Sequence, residues 1–189
     1  LDEQIIWNQP MTAYVIAVAQ DGTHNFSKTV VPKIKLVEGL GVEGDAHCGE
    51  TVKHRSRVRI DPKQPNLRQV HLFQAELFEE FTKKGFPVVP ADLGENITTR
   101  GVDLLTLPRG TVLRIGNTAE VEITGFRNPC AQIDTFMPGL LSAVLIRKSK
   151  QLIRRTGIMG VVRTSGVVSR GNTIKIFLPA EPYEALERV

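Results

Sequence analysis

The chain has 189 residues, of which 41% are hydrophobic, 23% charged and 6% aromatic, and its formal charge is +4. That is enough apolar material for one compact domain to bury its own core without disulfide or metal staples, and no run approaches the ~20 continuous apolar residues of a membrane span. The mild basic excess suits small anions and falls short of the dense Lys/Arg and aromatic patterning of a nucleic-acid binder.

The opening stretch LDEQIIWNQPMTAYVIAVAQ has no basic start followed by an apolar block and a small-residue cleavage site, so no secretory signal is expected. Two cysteines are too few for a disulfide scaffold and favour a reducing compartment in which both stay thiols. The expectation is a cytoplasmic protein without membrane or nucleic-acid partners. No internal repeat, low-complexity tract or Gly/Ser linker divides the chain, which reads as one domain over 1–189.

In chain order, strand-length apolar runs stand between turn signals at AYVIAVAQ (13–20), PKIKLVEG (32–39), LRQVHLF (67–73), ENITTRG (95–101), TVLRIG (111–116), AEVEITGF (119–126), IMGVVRT (158–164) and NTIKIFL (172–178). Gly116 and Asn117, between two of these runs, signal a hairpin. Val121 and Ile123 alternate with Glu120, Glu122 and Thr124, as a sheet with one wet face demands.

Two segments carry helical spacing instead. FQAELFEEFTKKG (73–85) has Ala75, Leu77, Phe78 and Phe81 on one side, acids early, and Lys83, Lys84 and Gly85 at its end. PGLLSAVLIRKSKQLIRRTG (138–157) predicts a second helix from Pro138 to Gly157, with Leu141, Leu145, Ile146, Leu152 and Ile153 on one side and Arg147, Lys148, Lys150, Arg154 and Arg155 on the other. That basic arc is either a solvated helix face or a surface for an anion or a partner. Many short strands with two interleaved helices predict a mainly β fold: a closed or strongly bent antiparallel β-barrel, with helices covering its openings or edges.

Several stretches bear on chemistry. In GLGVEGDAHCG (39–49), Gly39, Gly41 and Gly44 permit backbone conformations closed to other residues, and Asp45 can tie its carboxylate to nearby N–H groups, leaving His47 and Cys48 in an ordered turn. His47, Cys48, His54 and Cys130 have no zinc-ligand spacing, and neither cysteine belongs to a CxxC motif. KHRSRVRIDPKQP (53–65) reads as an exposed basic insertion, either a flap over a site or a solvated loop, with Pro62 and Pro65 against a regular element.

DLGENITTRGVDL (92–104) offers Glu95, Asn96, Thr98 and Thr99 to a polar ligand, or to its own backbone as Asn and Thr commonly do. VEITGFRNPCAQID (121–134) runs from a strand into Cys130, with Arg127 three residues upstream. A nearby guanidinium favours the thiolate, the form that attacks sulfur or binds a soft metal, whereas a buried cysteine is only a small hydrophobe. Arg163 and Arg170, among late glycines, have guanidinium forks suited to phosphate, although arginines in hairpin turns are common.

Taken together, GVEGDAHCG (41–49), LGENITTRGVDLLTLPRGTVLRIG (93–116), VEITGFRNPC (121–130), GIMGVV (157–162) and GNTIKI (171–176) resemble the MOSC domain family, named for the C-terminal domain of molybdenum cofactor sulfurases. The match spans about residues 30–178, in the family's order. The resemblance implies a single stand-alone MOSC domain with the family's pyruvate-kinase-barrel-like β fold. It also implies that Cys130 is the functional residue, either carrying sulfur as a persulfide or ligating the molybdenum of a pterin cofactor. Arg127, Asn96, Thr98, Glu95, Asp45, His47 and Arg163 are then the candidates to surround the anionic pterin.

The resemblance supports three expectations. The first is a molybdenum-cofactor protein that reduces N-hydroxylated compounds with electrons from a partner, or handles the cofactor through Cys130. The second is a sulfur carrier that receives sulfur from a desulfurase for a metal–sulfur centre or a cofactor. The third is a non-catalytic module that docks through its basic surface. Pyridoxal phosphate, often associated with the family, is expected on a partner, because no aminotransferase-like stretch with a Schiff-base lysine lies within these residues. Cys48 and the basic insertion have no counterpart in the family pattern.

Overall fold

The computed structural model of the chain describes residues 12–53, 58–148 and 151–189. Most of the insertion 53–65 falls among them, but 54–57 lie outside, as do 149 and 150. The elements are β1 (Tyr14–Gln20), β2 (Thr29–Val31), β3 (Lys33–Val37), β4 (Gly41–Val42), β5 (Val70–Gln74), α1 (Glu76–Lys83), β6 (Ile97–Arg100), β7 (Val112–Ile115), β8 (Ala119–Phe126), α2 (Gln132–Phe136), α3 (Leu140–Val144), β9 (Leu145–Lys148), β10 (Gln151–Arg154), β11 (Ile158–Thr164), β12 (Gly166–Ser169) and β13 (Ile174–Phe177). The fold is mainly β, as the recurrent short apolar runs predict.

Eight strands form one sheet in the order β13-β7-β8-β11-β5-β6-β1-β2, and β12-β3-β4 form a second. All pairings are antiparallel except β5 with β6. The main ladder has two ends, so hydrogen bonding does not close it into a barrel. A bridge between Tyr14 and Thr173 nevertheless joins the start of β1 to the approach to β13. Around it, the Val15 N–H donates to the Asn172 carbonyl and the Ile174 N–H to the Ala13 carbonyl. The sheet is therefore strongly bent.

The helix predicted over 138–157 is not formed. Only Leu140–Val144 is helical, and the chain then makes the antiparallel hairpin of β9 and β10, pairing Ile146 with Ile153 and Leu152 with Arg147. A continuous helix would stack Arg147, Lys150 and Arg154 at three- and four-residue spacing, where like charges repel. The hairpin instead sets two β-branched residues opposite each other. The first predicted helix does form, beginning later: Phe73 and Gln74 belong to β5, and α1 buries Leu77, Phe78 and Phe81.

Two apolar clusters share β5. Leu72 joins Val15, Leu36, Ile97, Leu113, Val121, Ile123 and Ile158 inside the bent sheet, while Phe73 joins Phe78, Phe81, Leu93, Ile133 and Leu140 beneath the helices. Each such side chain contributes roughly 1.5–3 kcal/mol of transfer free energy. With both faces covered, all five residues of β5, VHLFQ, are buried. The two polar ones, His71 and Gln74, are therefore carried inside, and His71 is delivered to a cavity wall.

Candidate functional site

Beyond Phe126 the chain leaves β8 but stays anchored. The Arg127 N–H donates to the Gly157 carbonyl at 3.1 Å, and the Thr156 hydroxyl donates to the Arg127 carbonyl at 2.7 Å. Gly157 has φ +81°, and a Cβ there would collide with the Leu72 carbonyl and lie 2.9 Å from His71 Nε2. Only glycine lets the two segments approach this closely. Cys130 follows at the foot of α2, half-buried, with its Sγ 3.5 Å from Gln132 Oε1.

Cys130 lines a cavity of about 420 Å³, within the size range of small-molecule sites. Lys28, His24, His47, His71, Arg59, Arg68 and Arg127 share the lining, with Asn96, Phe26 and Met159 among the rest. Among the described residues no carboxylate lines it. The charged groups of its lining are thus all cationic, which favours anions.

On one side of the cavity the groups around Asp45 satisfy one another, although Oε2 of Glu95 behind them is buried without a hydrogen-bond partner. Asp45 is buried; its Oδ2 is ion-paired with Lys28 Nζ and accepts from Asn96 Nδ2 at 2.9 Å, and its Oδ1 accepts from the His47 N–H at 2.9 Å and lies 3.2 Å from His47 Nδ1. Burial alone would raise the Asp45 pKa, but the His47 hydrogen bonds and the Lys28 charge overcome it and hold the carboxyl well below the usual range. Burial lowers the Lys28 pKa, and Asp45 opposes that shift.

Asn96 completes the knot, donating to the Ala19 carbonyl at 3.2 Å and accepting from the His71 N–H at 3.1 Å. Glu95, fully buried, accepts at Oε1 from the Ala91 N–H (2.7 Å) and the Thr98 hydroxyl (3.0 Å), and burial raises its pKa. The Ala91 bond holds a non-glycine residue at φ 78°, a conformation that costs about 1–3 kcal/mol and persists only where its surroundings enforce it.

The other side is unsatisfied. Arg127 packs its guanidinium 5.8 Å from the Phe26 ring centroid, and its Nη1 is buried without a hydrogen-bond partner. Burial lowers its pKa, opposed by charge on Cys130 and Glu95. An orphaned buried donor costs about 1–3 kcal/mol, and the residue that carries it lines the cavity. Beside it, burial and then the Arg127 charge push the His71 pKa down to about 3, so the imidazole is neutral at physiological pH, with Nε2 2.8 Å from the Thr156 carbonyl.

Of the residues singled out in the sequence, Cys130, Arg127, Asn96 and His47 line one cavity. Asp45, Glu95 and Thr98 lie behind its wall, as supports. Arg163 does not reach it: exposed on β11, it binds Glu122 at 2.6 Å. Cys48 stays outside the lining, and burial followed by the Asp45 and Glu43 charges raises its thiol pKa. Among the described residues no three His, Cys, Asp or Glu side chains gather as metal ligands.

Lys28, His24, Arg68 and His71 escaped the sequence reading, whereas Arg59 belongs to the basic insertion read there as either a flap over a site or a solvated loop. His71 alone left a signal, as a histidine inside an otherwise apolar strand, where an ionisable group requires a reason. The others reach the cavity only through tertiary contacts. No helix among the described residues is long and apolar enough to cross a membrane.

A family model described as MOSC domain matches residues 43–175. Among solved structures, the YUAD protein from Bacillus subtilis superposes with a TM-score of 0.73 at 26% identity, over 90% of this chain and 98% of that one. YiiM from Geobacillus stearothermophilus gives 0.60 at 15% identity, over 92% and 79%, and YiiM from Escherichia coli gives 0.59 at 19%, over 93% and 74%. At those identities the YiiM likeness shows the fold alone. No curated protein matches the chain.

Proposed function

The chain belongs to the MOSC domain family, and from that premise we propose that it handles molybdenum cofactor, with Cys130 as the metal's protein ligand and N-hydroxylated compounds as substrates reduced by electrons from a partner. The observation that carries this reading is the composition of the cavity: a reachable thiol beside seven basic groups, one with a buried unpaired N–H, and no described carboxylate. A soft thiolate suits molybdenum, and guanidinium forks suit a pterin phosphate.

The donor set thus fits the cofactor. Arg127 and Arg68 would take its anionic end, and Cys130 its metal. When bound, the group supplies two-electron chemistry at an N–O bond. The chain's own contribution is positional. Gly157 permits, and the Thr156 hydroxyl fastens, the approach of the Cys130 segment to β11, and the Asp45 knot holds Lys28 and His47 at the cavity wall. His71 stays neutral, so it adds a polar surface without adding charge.

Expression in a cofactor-competent host tests the reading. Wild type is expected to carry molybdenum and release a fluorescent oxidised pterin, and Cys130→Ser to carry little metal. Metal-free wild type without pterin fluorescence would overturn it. A second reading, sulfur carriage as a Cys130 persulfide, is favoured by the half-exposed Sγ, whose hydrogen bond is a long one to Gln132. It predicts a labile adduct of one sulfur mass after incubation with a desulfurase and cysteine.

A further inference from the structure

Sulfur carriage leaves open what supplies the sulfur, and the cavity bears on that question. To take sulfur from a persulfide on another protein, an accepting thiol needs exposure and little else. Here the thiol instead opens on a half-open basic cavity of about 420 Å³. Its described lining has no carboxylate, and Arg127 Nη1, three residues before the thiol, is buried and unpaired. This arrangement recognises a small anion held against the sulfur.

We propose that Cys130 takes sulfane sulfur directly from small dianionic thiosulfonates, of which inorganic thiosulfate is the simplest. The inference rests on the sulfur-carrier reading and names its donor class. The Cys130 thiolate attacks the outer sulfur of thiosulfate, so that a new S–S bond forms to Cys130. The bond between the two thiosulfate sulfurs breaks, and its electron pair leaves with sulfite. The transferred sulfur moves as a neutral atom: thiolate and thiosulfate dianion become persulfide anion and sulfite dianion. The step needs no proton, electron or further reactant.

Each part of the site has a task in that exchange. The oxyanion end meets Arg127 with Arg68, whose charges offset the repulsion between an anionic nucleophile and a dianionic substrate, while Lys28 stays paired with Asp45. Forked N–H donors match the sulfonate oxygens and then the departing sulfite. Phe26, with its ring centroid 5.8 Å from the guanidinium carbon, packs beside Arg127. Cys48 is not equipped for this role, because it lies outside the cavity lining and neighbouring carboxylates favour its protonated form.

Metal-free protein should be incubated with thiosulfate and, in parallel, with a desulfurase and cysteine, following intact mass and released sulfite. Wild type should gain one sulfur atom per chain with stoichiometric sulfite, Cys130→Ser none, and cyanide should remove the adduct as thiocyanate. Sulfate should compete in wild type, a measurement independent of any variant, and Arg127→Gln should slow loading about tenfold, as expected for losing one charge-assisted contact. Loading by the desulfurase but not by thiosulfate overturns the inference and leaves sulfur carriage standing. Failure of both, with Cys130 still alkylatable, removes both. Thiosulfate loading that is indifferent to sulfate overturns the cavity's role as an anion site.

Discussion

The two sides of the cavity are built from similar residues with opposite outcomes. On the Asp45 side, a carboxylate, a lysine, an imidazole and an amide satisfy one another within a buried network. On the Arg127 side a guanidinium nitrogen is equally sealed from water and has no partner. A closed network gives shape and rigidity. An open one stores unmet hydrogen-bonding capacity, and that is where a ligand gains affinity. Stability should therefore follow the first side and anion binding the second.

The most severe way to break this contrast is Asp45→Asn, which leaves Lys28 buried without its counter-charge. Chemical denaturation should show a loss of about 3–5 kcal/mol, as for breaking other buried pairs. The sign with pH is set by the depressed Asp45 pKa. Its contribution is complete above the unfolded value near 3.8 and is lost as pH falls below that value. A loss under 1 kcal/mol would mean that the network is not structural.

Gly157→Ala tests the joint between the two sides. With φ +81° and the Leu72 carbonyl in the way, the added methyl should cost on the order of 2 kcal/mol or more in thermal or chemical unfolding.

The third effect comes from His71. Its folded pKa of about 3 lies below the unfolded value of 6.5, so the unfolded chain binds the extra proton. Stability is therefore full above pH 6.5 and is lost as pH falls toward 3. The loss is on the order of 2 kcal/mol between pH 6.5 and 5. His71→Gln should flatten that segment of the stability–pH curve.

The smallest change in stability belongs to Arg127→Gln, which removes a donor that the fold leaves unpaired. Unfolding free energy should fall by less than about 1 kcal/mol, if it falls at all, while stabilisation of the protein by added sulfate or phosphate should largely disappear in a thermal-shift titration. If the variant unfolded as readily as Asp45→Asn, the distinction between the two sides would be lost.

How much of this was legible beforehand depended on the kind of signal. The hairpin at Gly116 and Asn117 and the helix ending at Gly85 were readable because turn chemistry and capping act within a few residues. The stretch 138–157 misled because adjacent apolar pairs such as Leu145–Ile146 and Leu152–Ile153 satisfy a helical period and a hairpin register alike. Arg163 resembled a phosphate ligand in sequence and is engaged with Glu122 across a strand pair, a partner 41 residues away. Thr98 and Glu95 were legible as polar residues in a strand, but not as residues facing each other inside the wall.

By itself the sequence determined the mainly β character, the helix over α1 and the motif set of the family, and it nominated Cys130 and Arg127 as candidates, because alternation, caps and motifs are local properties of the chain. Only the tertiary structure decided that Lys28, His71 and Arg68 join them around one cavity, that the sheet bends without a closing ladder, and that Arg127 Nη1 is left unpaired there. Those outcomes depend on long-range burial. Whether a charged side chain is satisfied, silent or waiting for a ligand is decided by neighbours that the order of residues does not name.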